Sequence, residues 1–303
     1  MDVPKTLGAL LIGALFASLC SGGVVIQTLL YLKLYPSDSP SLKSLVLIIW
    51  LLDTFHTAFI WGALWEYLVD FYGKPDLIDR ISWTLAMSIV FTAILTFCTH
   101  CFFAHRILKL SKKNWWLTAP IFVLAVLRLT SASGTTAQML KLQSFAKFRD
   151  EVHWLFTLGL ALSCMVDILI TGSLFFLLQT SRGDAGNLNV VIDTLILYTF
   201  ETGSITAAAT IVSMICWIAM PTNLIFMGLH FVIGKLYANS FLVTLNTRRN
   251  LREQSYQSGG GGFPALVLTS RSRRSQAHSD ESVRFFFFFF FLVVLSHVLH
   301  LCR

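Results

Sequence analysis

Between Lys5 and Lys33 the chain carries no charged residue, and long apolar runs recur as far as Asn246. A hydrocarbon core about 30 Å thick is crossed by roughly 20 helical residues. Inside it every backbone N–H and C=O must bond within the protein, so runs of this kind fold as helices. Five are expected at Leu7 to Leu32, Leu45 to Val69, Ile81 to Phe103, Leu117 to Leu140 and His153 to Leu178. A hairpin from Leu188 to Arg252, turning at Ala219, Met220, Pro221 and Thr222, supplies two more. The expected fold class is all-α: a polytopic integral membrane protein, a seven-transmembrane helix bundle over residues 1–246.

Composition agrees. Only 13% of the 303 residues are charged, about half the share of a soluble domain. The net charge of +7 sits mostly in loops beside apolar spans, so it reads as membrane topology and not as nucleic-acid binding. One set of alternate loops holds Lys33, Lys43, Arg106, Lys109, Lys112, Lys113 and Arg182, followed by Arg248, Arg249 and Arg252. The other set has fewer basic residues, several beside acids. This bias places the N-terminus outside and the C-terminus inside. Residues 247–284, rich in Arg, Ser, Gln and Gly, are expected to form a disordered basic cytosolic tail. The partners expected are the lipid bilayer, a small-molecule ligand, and an anionic lipid or cytosolic protein at the basic inner loop and tail. The expected location is the plasma membrane. Residues 285–303 open on a run of Phe and read as a gene-model artefact, a translated non-coding stretch, in preference to an eighth span.

Ionisable groups inside spans are costly and need partners. The intramembrane polar candidates are Asp53, His56, Arg128, Asp167, Glu201, Lys235 and Asn239. Asp53, Asp167, Glu201 and Lys235 fall at similar depth, and Glu201 and Lys235, on neighbouring helices, are expected to pair. Lys235 and Asn239 are four apart and share an inward face. Asp53 and His56 are three apart and close enough to pair. Small residues at Gly22, Gly23, Gly203 and Ala207 suit close helix packing. All six Cys lie in apolar segments, which argues against a disulfide framework. Cys98, Cys101 and His105 share a helix face, but at a membrane edge such groups more often pack than ligate, and no metal is expected. No hydrolase or metalloprotease motif is present, so no catalytic residue, cofactor or enzyme activity is expected. All seven Pro fall in loops, at helix ends or in the termini, which leaves no broken helix of the transporter type.

Several motifs resemble a known family. They are Gly172, Ser173 and Leu174 with Ser181 and Arg182; Ile192 and Asp193 through Tyr198, Glu201 and Gly203; Met220, Pro221 and Asn223; and Lys235 through Leu242 with Asn246 and Arg248. Tyr35, Pro36, Asp53, His56, Phe102 and Arg106 agree in the front half. Together they resemble the seven-span proteins of mushroom-forming fungi, which carry a C-terminal domain of unknown function, here about residues 160–252. The chain departs from that pattern at Gly183, where the family tends to have Thr. The resemblance implies architecture and leaves activity open. The expected function is a receptor-like or sensor protein that binds a small ligand within the bundle. The alternative is a small-solute or proton carrier with an intramembrane polar layer.

Overall fold

The computed structural model describes residues 4–74, 77–181, 189–220 and 223–248, with the side chains of residues 4–5, 181 and 189–202 outside that description. The expected tail beyond Arg248 and the Phe-rich end lie outside the described residues. Among the described residues seven α-helices follow in order: α1 (Ala9–Leu34), α2 (Pro40–Trp65), α3 (Trp83–Leu110), α4 (Trp115–Leu142), α5 (Phe145–Ser181), α6 (Asn189–Ala219) and α7 (Ile225–Asn246). Short π-helical turns, Pro4–Gly8 and Glu66–Asp70, extend α1 and α2. Among the described residues six stretches are long and apolar enough to cross a membrane. The described apolar part of α6, Gly203–Ala219, is shorter. The chain is an all-α, multi-pass membrane protein.

Consecutive helices pack side by side, and α7 closes the arrangement against α1 while also touching α2, α3 and α6. From Ile225 to Leu242 every residue of α7 is buried, so this helix has no lipid-facing stripe. The other helices present apolar side chains outward, for example Leu19, Ile26 and Leu29 on α1 and Phe122 and Val123 on α4. Hydroxyl residues turn inward. On α3 the buried stripe Ser88, Thr92, Thr96 and Thr99 follows helical spacing. Several of these hydroxyls bond carbonyls of their own helix, as Thr96 does to Thr92, and so satisfy themselves where water is absent.

Small residues set the α1–α7 distance. Ala9, Gly13, Ala14, Ala17 and Cys20 form the buried face of α1. A Cβ on Gly13 would lie 2.5 Å from the Cα of Gly228, and one on Gly228 would lie 2.5 Å from the carbonyl oxygen of Ala9. Backbone meets backbone at this crossing. The expectation of close packing at Gly203 also holds, because a Cβ there would collide with Thr171 of α5. Gly22 faces open space, whereas Gly23 faces Asn239 of α7.

Loops lock the ends. Asp79, in the α2–α3 connection, accepts from Ala146 N at 3.0 Å and from Ser144 Oγ at 2.5 Å, and so caps α5. Helix α5 therefore starts at Phe145, inside the mixed-charge segment 141–151 that the sequence reads as a loop. Glu66 accepts from Ser82 and Thr84 at the start of α3, a structural role that its position near an interface conceals. The sequence places every Pro in a loop, at a helix end or in a terminus, but Pro120 stands inside α4. It lies early enough in the helix that only one near-terminal backbone bond is lost.

Gly228→Leu should destabilise the protein by at least the ~1–3 kcal/mol of ordinary overpacking, read as thermal unfolding in detergent. Gly22→Leu, on the open side of α1, should leave the transition nearly unchanged. Equal transitions for the two variants would remove the α1–α7 crossing as a determinant of stability.

Candidate functional site

The polar groups of the interior gather on two sides of α7. Lys235 and Tyr237, two residues apart, project to opposite faces of one helix. Each organises a separate cluster.

On the Lys235 side the ammonium is fully buried and 2.9 Å from Asp53 Oδ1. Its hydrogen bonds go to the Asp53 carbonyl at 2.8 Å and to Thr57 Oγ1 at 2.6 Å. The contact with Oδ1 is ionic, lying off the line of those bonds. Asp53 Oδ2 accepts from Ser21 of α1, and Thr57 donates to the Asp53 carbonyl at 2.9 Å. Asn239, one turn along α7, donates to Cys20 O at 3.1 Å and accepts from Gln27 Nε2 at 3.2 Å. His56 Nε2 meets Thr92 Oγ1 at 3.0 Å. The expected Asp53–His56 pair does not form, since His56 turns toward α3. Among the described residues Lys235 takes its carboxylate from α2. The side chain of Glu201 lies outside the described residues.

On the Tyr237 side, Asp167 of α5 accepts from Tyr237 Oη at 2.6 Å and lies 3.3 Å from His100 Nε2 of α3. Ser163 bonds Tyr237 Oη at 3.0 Å and accepts from Arg128 Nε of α4 at 3.0 Å. Arg128 is 6% exposed, and the charges of Asp167 and Arg128 lie near one another. The single polar layer expected from depth is thus two networks: Asp53, His56, Lys235 and Asn239 in one, Arg128 and Asp167 in the other. Sequence reading missed Ser21, Gln27, Thr57, Thr92, His100, Ser163 and Tyr237. His100 carried a usable signal. It lies off the Cys98, Cys101 and His105 face because it points into the bundle. No group of three metal-binding side chains occurs among the described residues.

A cleft of about 970 Å³ opens between α2, α3 and α7 at the end that carries Arg248. Its walls include Leu45 of α2, Phe97 and Arg106 of α3, and Leu245 of α7. A latch closes one side. Arg248 donates to Asp38 Oδ2 at 2.6 Å and stacks over Tyr35 with its carbon 4.7 Å from the ring centre. Tyr35 Oη donates to Asn246 O at 2.9 Å, tying the α1–α2 loop to the end of α7. Burial pushes the Asp38 carboxyl up, but hydrogen bonds from Arg248 and Tyr31, with the charges of Arg248 and Lys43, hold it below its ordinary value.

With these geometries in view, the profile of a family of unknown function, DUF6534, matches residues 163–250. The match covers most of the region, about 160–252, where a domain of unknown function is expected. It contains Ser163, Asp167, Lys235, Tyr237 and Asn239, while Asp53, His56, His100 and Arg128 precede it. No curated protein and no solved structure matches the chain.

Removing one partner of a buried ion pair leaves the other uncompensated, at a cost of about 3–5 kcal/mol. Asp53→Asn and Lys235→Met should each destabilise by that order, and the double variant should lie closer to the parent than the sum of the two. Thermal unfolding of the four proteins measures the coupling, and strict additivity would show that the pair contributes nothing jointly. For the latch, a depressed carboxyl stabilises above its unfolded pKa of about 3.9 and loses that contribution as pH falls through the folded value. The stability gap between the parent and Asp38→Asn should stay constant from neutral pH down to about 4 and close below it. A gap that closed nearer pH 6 would contradict this assignment.

Proposed function

We propose that this chain is a receptor-like sensor that binds a small ligand among its helices and is not an enzyme. In this reading it has seven spans, sits in the plasma membrane with its N-terminus outside and its basic tail in the cytosol, and belongs with the seven-span proteins of mushroom-forming fungi. The α2–α3–α7 cleft carries the proposal. Its volume of about 970 Å³ falls at the upper end of the ~300–1,000 Å³ usual for small-molecule sites. One of its walls belongs to α7, the helix that also holds both interior networks, so occupancy and interior packing share an element. The basic loops and tail supply a surface for anionic lipid or a cytosolic partner.

Carriage of a small solute or proton is the second reading. Among the described residues His56 and His100 each have a buried ring nitrogen without a hydrogen-bond partner, and His230 has two. Of these, His100 stands beside the Asp167 carboxylate, an arrangement that suits a proton relay. Sensing is preferred because Asp53 and Lys235 neutralise each other and leave no gap between them for a solute.

The discriminating experiment is native mass spectrometry of the purified chain in mild detergent, followed by flux assays in proteoliposomes. Sensing predicts a saturable bound small molecule and no flux. Proton or solute flux that Glu201→Gln abolishes, with folding retained, would replace sensing by carriage.

A further inference from the structure

We infer that the α2–α3–α7 cleft takes an amphiphile with a phosphate headgroup, the headgroup on Arg106 and Lys109 and the apolar chain along Leu45 and Phe97. This rests on the ligand-binding reading above and gives that ligand its chemistry.

The charge balance of the cleft comes first. Its lining holds three fixed cations, Arg106, Lys109 and Arg248, against one carboxylate, Asp38. That carboxylate is already used, with Arg248 at 2.6 Å and Tyr31 Oη at 2.9 Å, both on Oδ2. Arg248 is further held over Tyr35. Arg106 is half-buried and, among the described residues, has no carboxylate and no hydrogen-bond acceptor. The charge of Arg248 also lies close enough to repel it. A guanidinium in that position gains from an anion that its planar fork can grip with two parallel bonds, and phosphate fits that fork. Lys109, one turn further along α3 and exposed, adds a mobile second charge at the mouth.

Deeper in, the lining changes character. Leu42, Leu45, Phe97, Phe102 and Leu245 are apolar. Cys98 and Cys101 add soft apolar surface and, among the described residues, belong to no group of three or more side chains placed to hold a metal. A free inorganic anion would leave this part unused, and a neutral lipid would leave Arg106 uncompensated. Depth points the same way. The mouth lies at the end of α3, next to the exposed Trp115 and Trp116 that open α4. Trp at such a position marks the headgroup region of a bilayer. A phosphate on Arg106 would therefore stand at headgroup depth with its chain directed into the bundle. The source is either a two-chain membrane phospholipid or a soluble single-chain lysophospholipid.

The test uses the full chain in nanodiscs and native mass spectrometry to count retained molecules. The probes are phosphatidic acid, diacylglycerol with the same chains, lysophosphatidic acid added from solution, and inorganic phosphate. Phosphatidic acid should be retained at least tenfold over diacylglycerol. Arg106→Gln should lower that retention by roughly tenfold, the size of one lost bidentate phosphate contact, and Lys109→Gln by less. Preference for the lysolipid over phosphatidic acid would identify a soluble source and support the site equally. Leu45→Trp fills the apolar part and should lower retention with the cations intact, which keeps the test decisive if Arg106→Gln does not fold. Equal retention of diacylglycerol would overturn the phosphate assignment while leaving a ligand-binding cleft. Inorganic phosphate binding as tightly as the lipids would overturn the role of the chain. If no probe is retained and Leu45→Trp changes nothing, both this inference and the ligand-binding reading fall.

Discussion

Lys235 cannot be buried alone. An uncompensated ammonium in a low-dielectric interior costs several kcal/mol, and only a nearby carboxylate with further hydrogen bonds makes the position tenable. Asp53 supplies the charge, and its own backbone carbonyl and Thr57 supply the bonds. Asp53 in turn needs a donor, which Ser21 gives from α1. Two helices, α1 and α2, are thereby drawn against α7 by one charged side chain. The Asp167 network does the same from the other side, with α3, α4 and α5 contributing His100, Arg128 and Ser163. In a bilayer, apolar side chains gain little by leaving lipid for protein, so polar demands and close packing decide which helix stands where.

The glycine crossing and the ion pair depend on each other. Gly13 and Gly228 let α1 approach α7 to backbone contact. Gln27 and Asn239, further along the same pair of helices, bond across the interface, and Asn239 also reaches Cys20 O. A larger separation at the crossing would lengthen these bonds and would draw Ser21 away from Asp53. Packing at one end therefore sets the geometry of the charge cluster in the middle.

The architecture was largely legible in the sequence. Long uncharged runs fixed the helices, and the spacing of Lys235 and Asn239 showed one inward face of α7 but not its burial on every side. Partnership was less legible. Lys235 invited pairing with Glu201 on the neighbouring helix, and the carboxylate found beside it, Asp53, comes from α2. Periodicity tells which face of a helix is polar but not which helix that face meets. Gly22 and Gly23 drew notice as a pair, while the contact is made by Gly13 and Gly228, single glycines in apolar runs with nothing to distinguish them. Asp79 capping α5 is a contact between two loops far apart in the chain, and no local rule reaches it. Six of the seven chosen polar residues lie in the two networks, because an ionisable group within a span has few other places to go. The side chain of the seventh, Glu201, is outside the described residues.

The placement of α7 constrains how a ligand in the cleft would be felt. A ligand shifts a conformational equilibrium only by the difference in its affinity for the two states. A group bound to Arg106 touches α3, and Thr244 and Leu245 bring the same cleft onto α7. One turn or so further in, α7 carries Phe241, whose ring packs edge-on against Phe102 at 4.8 Å. Beyond that lie Tyr237 and Lys235, each already fixed by bonds to α5 or α2. A rotation of α7 large enough to open the cleft would strain both networks at once, whereas a small sliding at its Arg248 end meets the Asp38 latch and the bonds of Asn246 to Tyr35 and Gln27. The energetically cheaper response is at that end, where α7 leads into the basic tail.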